Sequence, residues 1–227
     1  REIAMQSQLY DRDRMVEQLH WGGGTPTFLN HEEMRALMAE TRKYFSLYDN
    51  DEGEYSIEID PRSVTPATIG VLREIGFNRF SLGVQDVAED VQRAVNRIQP
   101  IEQTRSIIES CRQQGARSIS VDLIYGLPFQ TVDSFRQTLD TIIELSPDRL
   151  SIFNYAHLPH LFKPQRRIKD ADLPSADTKL QIVQLAVEHL TSAGYEYIGM
   201  DHFAKPDDEL AIAQRQGTLH RNFQGYT

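Results

Sequence analysis

Residues 55–84, YSIEIDPRSVTPATIGVLREIGFNRFSLGV, read as one strand, one helix and a second strand. Tyr55–Ile59 and Arg79–Val84 are short and mostly apolar, the pattern of strands buried on both faces. Between them Ile69, Leu72 and Ile75 fall at three-residue spacing, which puts an apolar stripe on one helix face. A strand, a helix and a strand in that order imply two parallel strands joined by a right-handed crossover. Outward from this unit the alternation continues. Upstream, Val16–His20 reads as a strand that Gly22, Gly23 and Gly24 break, followed by helical spacing at Met34, Leu37, Met38 and Tyr44. Downstream come a helix around Ile107–Cys111, a strand at Ile119–Tyr125, a helix at Phe135–Leu145 and a strand at Leu150–Tyr155. A helix at Leu180–Leu190 and a short last strand at Tyr195–Met200 complete the series. Arg1 to Gln6 read as helix, with no initiator methionine before them, so the chain is expected to begin inside a larger protein. The expected class is α/β with parallel strands, either a doubly wound sheet or a (β/α) barrel. A dinucleotide-binding start is a poor fit, because Gly22-Gly-Gly-Thr-Pro-Thr27 does not open straight into a helix.

The chain has 227 residues, 40% hydrophobic and 25% charged, which suits a globular core. Its net charge of −9 argues against a nucleic-acid partner, which would need a basic face. No apolar run reaches the roughly 18 residues of a membrane span, and no signal peptide is visible. The single cysteine, Cys111, follows Ile107 and Ile108 on a helix and reads as a buried thiol. One cysteine makes no internal disulfide and no thiolate cage, and it fits a cytoplasmic location.

The strands end in polar or permissive residues. Gly22–Gly24 and Thr25 follow the first, Glu58 and Asp60 stand in and after the second, and Gln85-Asp86 close the third. Asp122 and Tyr125-Gly126 mark the fourth, and Asn154-Tyr-Ala-His157 the fifth. In a barrel such ends converge on one mouth, where active sites lie. Each residue also has a structural explanation. The glycines could form a tight turn, Glu58 or Asp122 could pair with a buried arginine, and Gln85 could cap a helix. His157-x-x-His160 has no evident third ligand, so no metal site is expected there. Lys163–Lys169 and Asp207-Asp-Glu209 are charge runs of the kind that usually face solvent, and the second reads as a helix N-terminus.

Taken together, several segments resemble the radical S-adenosyl-L-methionine (SAM) superfamily, and within it the oxygen-independent coproporphyrinogen III oxidases. They are His20-Trp-Gly-Gly-Gly-Thr-Pro-Thr27, Ser56-Ile-Glu-Ile-Asp-Pro-Arg62, Asn78-Arg-Phe-Ser-Leu-Gly-Val-Gln-Asp86, Val95-Asn-Arg97 and Val121-Asp-Leu-Ile-Tyr-Gly-Leu-Pro128. Phe153-Asn-Tyr-Ala-His-Leu-Pro159, Gly199-Met-Asp-His-Phe-Ala204 and His220-Arg-Asn-Phe-Gln-Gly-Tyr226 extend the resemblance to the end of the chain. The related haem-chaperone branch usually has Gly-Arg where Asn96-Arg97 stands and Ser-Asn-Phe-Ala where Asp201-His-Phe-Ala204 stands, so the oxidase branch matches better.

The resemblance implies a partial (β/α) barrel over residues 1–204, with 205–227 starting a connection to a further domain. It also implies that the first barrel strand and a Cys-x3-Cys-x2-Cys loop, which ligates a [4Fe-4S] cluster in the family, are absent from this chain. The implied cofactors are SAM and that cluster, the implied substrate is coproporphyrinogen III, and an electron donor of unspecified identity is required. Membrane spans are not expected, and a monomer is. Two propionates would become vinyl groups, through hydrogen abstraction by the 5′-deoxyadenosyl radical. By resemblance Gly23, Gly24 and Thr25 approach the methionine part of SAM, and Arg97 pairs with its carboxylate. Gln85 and Asp122 meet the ribose hydroxyls, Glu58 meets a polar group of SAM, and the Ala156 backbone meets adenine. No protein acid or base is implied. Arg166, Arg167 and Arg221 are candidates for the substrate propionates, with Phe223 and Tyr226 offering flat apolar contact beside Arg221. The competing reading is a non-catalytic SAM- or tetrapyrrole-binding module. Because Cys111 is the only thiol, anaerobic reconstitution of this chain with iron and sulfide is expected to give no stoichiometric four-iron cluster. Iron analysis with a visible spectrum checks this, and a stoichiometric cluster would overturn it.

Overall fold

A computed structural model of the protein describes residues 1–222 and 225–226. In chain order the elements are α1 (Glu2–Gln6), β1 (Met15–Val16), β2 (Gln18–Trp21), α2 (His31–Tyr44), β3 (Ser46–Leu47), β4 (Glu54–Ile59), α3 (Pro66–Glu74) and β5 (Arg79–Gln85). Then come α4 (Glu89–Ala94), α5 (Ile101–Gln113), β6 (Ser118–Tyr125), α6 (Val132–Leu145), β7 (Arg149–Asn154) and α7 (Ala176–Ser192). The last are β8 (Glu196–Gly199), β9 (His202–Ala204), α8 (Glu209–Gln216), β10 (Arg221–Asn222) and β11 (Gly225–Tyr226). Two compact units divide the chain, the first 1–83 with 102–119 and the second 84–101 with 120–227.

In the first unit β2, β4 and β5 pair in parallel, with Leu19 opposite Tyr55 and Ile57 opposite Phe80. Tyr55, Ile57, Phe80 and Leu82 are fully buried, as are Met34 and Met38 of α2 and Ile69 and Leu72 of α3. Each such side chain contributes about 1.5–3 kcal/mol by leaving water. The helices start where the sequence supplies caps. Asn30 accepts from the Glu32 and Glu33 amides ahead of α2, and Thr65 caps α3 with Pro66 in its first turn.

In the second unit β6 and β7 are parallel, with Asp122 opposite Ser151 and Ile124 opposite Phe153. Phe135, Leu139 and Ile142 form the buried stripe of α6, which packs on α7. The last strand departs from the all-parallel expectation. The stretch Tyr195–Met200 holds β8 as expected, but β9 follows it as an antiparallel hairpin partner, and β9 also pairs antiparallel with β7. Only Met200 and Asp201 separate β8 from β9, far too few residues for the crossover that parallel strands need. Asp208 caps α8 through the Leu210 amide at 2.8 Å, as the acidic run foretold. Among the described residues no helix is long and apolar enough to cross a membrane.

Asn78 shows how the first unit closes its turns. Fully buried, it accepts from the Tyr55 amide at 3.1 Å and donates to the Gly53 carbonyl at 2.7 Å. Asn78→Ala leaves both backbone groups buried without that partner and is expected to cost about 2–3 kcal/mol of stability, read as a shift in urea midpoint.

Candidate functional site

Two clusters of candidate residues result, one in each unit. In the first, the chain leaves β2 through Gly22, then turns at Gly23 and Gly24, whose φ angles are +75° and +64°. Only glycine adopts two such conformations in succession without strain. Glu58 of β4 accepts from the Gly23 amide at 3.2 Å, and His20 Nε2 lies 3.3 Å from the same carboxylate. His20 Nδ1 meets the Ser56 hydroxyl at 2.8 Å, so the ring is held from both sides. A Cβ on Gly22 would press against the His20 ring and lie 2.8 Å from Glu58 Oε1, so a larger residue there would displace the side chains that hold the turn. Gly23, Gly24 and Thr25 are exposed, and Glu58 is about half exposed at 47%. Glu58 is therefore a rim carboxylate that organises the turn, not a buried charge seeking an arginine.

In the second unit a cavity of about 360 Å³ is lined by Gln85, Asn96, Arg97, Ile124, Leu127, Tyr155 and Arg167. Its walls are mainly apolar, with two guanidinium groups and the side-chain amides of Gln85, Asn96 and Gln165 among them. Such a cavity suits a ligand with a flat apolar part and a carboxylate. Asp122 lies on the same face of β6 as Ile124, two residues earlier. Gln85 has a φ of +71°, and the Asp86 amide donates back to the Val84 carbonyl at 2.9 Å. This is a positive-φ γ-turn, a conformation that costs on the order of 1–3 kcal/mol and persists only where its surroundings impose it. Asn96, also at the cavity, has a φ of +55°.

Asp86 imposes the turn. It is 1% exposed. Its carboxylate accepts from the Ala88 amide at 2.7 Å, from Thr138 Oγ1 at 3.0 Å and from Gln130 Nε2. Gln130 in turn donates to the Ile124 carbonyl and accepts from the Leu127 amide, both at 2.9 Å. Gln92 donates to the Asp86 and Gln99 carbonyls at 2.9 and 3.0 Å and accepts from the Gln99 amide at 2.9 Å. The Arg97 amide closes the set on the Gln92 carbonyl at 2.8 Å. One buried network thus fixes the backbone at Gln85, Arg97, Ile124 and Leu127. Burial raises the Asp86 pKa above the ordinary aspartate value, and the surrounding donors oppose that shift.

The remaining candidates lie as follows. Ala156 is exposed, and its carbonyl accepts from Gln165 Nε2 at 3.0 Å. Arg166 donates from Nε to the Pro159 carbonyl at 3.0 Å, whereas Arg167 reaches the cavity. Arg221 is exposed on β10, Tyr226 lies on β11, and Phe223 is outside the described residues. His157 is held by Tyr155 at 3.2 Å and Asp170 at 3.1 Å, in keeping with its structural reading. Among the described residues no group of three His, Cys, Asp or Glu side chains could hold a metal ion. Cys111 is buried in α5 with its pKa pushed up to about 12, so it is an inert thiol. Sequence reasoning missed Gln92, Gln99 and Gln130. A buried glutamine looks like a surface residue in sequence, and only the proximity of Gln130 to Leu127-Pro128 hints otherwise.

The model of the radical SAM superfamily matches residues 1–142. The chain is 60% identical over its whole length to the oxygen-independent coproporphyrinogen III oxidase of Pseudomonas aeruginosa and covers 49% of that protein. It is 54% identical to the corresponding protein of Escherichia coli, again covering 49%. A solved structure described as coproporphyrinogen III oxidase from E. coli, a radical SAM enzyme, aligns with all of this chain at TM-score 0.95 and 54% identity, covering 51% of that protein. An archaeal Elp3 structure, 15% identical at TM-score 0.60, shares the fold alone. The chain therefore spans about half the length of these relatives, and its fold is the partial (β/α) barrel expected from sequence.

Asp86→Asn would turn an NH₂ group toward the Gln130 amide and is expected to cost about 1–3 kcal/mol. The sign with pH follows from the raised pKa. The contribution of Asp86 to stability is complete below its unfolded value of 3.8 and falls as pH rises through the folded value. The wild-type advantage over Asp86→Asn should shrink as pH rises above 4, in urea titrations at several pH values.

Proposed function

The chain belongs to the radical SAM superfamily, and from that premise we propose that the protein acts in the oxygen-independent conversion of coproporphyrinogen III to protoporphyrinogen IX. The observation that carries this reading is the second-unit cavity, where Arg97, a strained Gln85 and an apolar wall occur together. When bound, SAM would supply the radical that takes hydrogen from a propionate side chain.

This chain's own residues bind and orient. Arg97 matches the two oxygens of a carboxylate with its planar fork, which a lysine cannot do. The γ-turn presents the Gln85 side chain at the cavity, where its amide can donate to one hydroxyl oxygen and accept from another. Asp122 takes the other hydroxyl role. Ile124, Leu127 and Tyr155 exclude water from the flat part of the ligand. Gly23, Gly24 and Thr25 offer exposed backbone to the amino-acid end of SAM, with Glu58 accepting from a polar group there. Ala156 retains its amide for the adenine edge, since Gln165 occupies its carbonyl. Of the basic run, Arg167 is better placed for a propionate than Arg166, whose Nε is already held. The segment from 205 onward would begin a connection to a further domain. The cluster does not fit this chain. Its one thiol is buried and strongly protonated, so no step through the cluster is assigned to these residues.

Full-length enzyme, reconstituted anaerobically and supplied with SAM and reductant, is expected to form protoporphyrinogen IX, and failure to do so rejects the reading. Arg97→Lys is expected to lose about 1.5–3 kcal/mol of SAM affinity by calorimetry, while its unfolding midpoint changes little. Equal affinity in both proteins would remove Arg97 from the carboxylate role.

A further inference from the structure

His202 has no part in the site described so far, yet it stands on the same face. Strand register places Asp122 opposite Ser151, and Ser151 opposite His202. The next row pairs Ile124 with Phe153, and Ile124 lines the cavity. Residues paired directly across neighbouring strands project to one side of a sheet. Asp122, Ser151 and His202 therefore form a row across β6, β7 and β9, on the face that carries the cavity wall.

The imidazole packs edge-on to Phe153 at 6.0 Å and to Tyr226 at 5.2 Å. Among the described residues neither ring nitrogen has a hydrogen-bond partner, and Nδ1 is buried. A phenylalanine or leucine would fill such a place without burying an unsatisfied nitrogen, so packing does not account for a histidine. A buried orphan N–H is rarer than a buried lone pair, which places the proton on Nε2 and leaves one donor for a ligand. The cations acting on the ring are Arg149 and Arg221, and Asp201 opposes them. Arg149 is committed to Asp208 at 2.9 Å. Arg221 is exposed and makes no ion pair among the described residues. Burial holds His202 below the ordinary histidine range, so the free site presents a neutral donor near an uncommitted cation. An alkyl carboxylate satisfies both, whereas a cation or an apolar group satisfies neither.

We propose that His202 and Arg221 form a carboxylate subsite that receives one propionate of the tetrapyrrole, and that His202 is thereby a specificity-determining residue. The inference rests on the functional reading above. The carboxylate of SAM is the other possible source, but the Arg97 fork already accounts for it.

Binding to the full-length protein tests this without turnover. The probes are coproporphyrin III, which carries four carboxylates, and its tetramethyl ester, which carries none; affinity is read by fluorescence quenching. His202→Leu should weaken coproporphyrin III binding about tenfold or more. It should leave the ester and SAM within about twofold, a change worth only a few tenths of a kcal/mol. His202→Gln, which keeps a donor, should retain most of the affinity. Arg221→Gln, at an exposed position that does not endanger folding, should show the same loss for the acid alone. Equal losses for acid and ester would show a packing role and overturn the subsite. So would unchanged porphyrin affinity, or a loss confined to SAM. A wild-type protein that binds neither porphyrin would overturn the functional reading, and this inference with it.

Discussion

The second unit depends on one buried carboxylate. Asp86 gathers Ala88, Thr138 and Gln130 onto its two oxygens, and these come from the start of α4, from α6 and from the loop after β6. An aspartate in this position is expensive, because burial disfavours its charge. Its donors offset much of that cost and convert the remainder into geometry. The product is a residue, Gln85, held in a γ-turn that an unconstrained chain would leave. Gln92 passes the constraint on to the backbone before and after Arg97. The side chains that face the cavity are thus positioned by residues that do not line it.

The first unit solves the same problem more cheaply. Its glycine turn needs no buried charge, because Gly23 and Gly24 reach positive φ without a Cβ to clash. Glu58 can therefore remain half exposed, trading solvent for the Gly23 amide and His20. The two carboxylates illustrate different economies. One bends backbone that resists, and the other steadies backbone that is already free to turn.

The strand–helix alternation was legible because periodicity reports burial directly. Ile57, Ile69, Leu72 and Phe80 are all buried in the structure. The acidic run Asp207-Asp-Glu209 marked the start of α8, where Asp208 caps the helix, whereas the caps Asn30 of α2 and Thr65 of α3 emerge only from the structure. The hairpin of β8 and β9 was not legible, because Gly199-Met200-Asp201 reads as the end of a strand until its partner is known. The glutamine network was not legible either, since nothing in a local window distinguishes a buried glutamine from a solvated one. Lys163–Lys169 was ambiguous in sequence, and the structure divides it. Arg166 spends its Nε on the loop's own carbonyl, and Arg167 faces the cavity.

That division bears on how an acidic protein can hold an acidic ligand. With a net charge of −9 the overall field repels carboxylates. Screening limits that repulsion to roughly 8–10 Å at ordinary ionic strength, so the immediate surroundings decide. Many of the arginines are consumed by the framework. Arg35, Arg62, Arg73 and Arg149 each pair with a carboxylate through short contacts. A cation paired in this way offers little to an incoming anion, because its charge is already compensated and its donors are occupied. Arg167 and Arg221 make no ion pair among the described residues, and both belong to the second unit. The first unit's exposed backbone amides can meet an anion without any full charge. Anion recognition in this chain therefore depends on which cations the framework leaves uncommitted, and the overall charge balance does not reveal that.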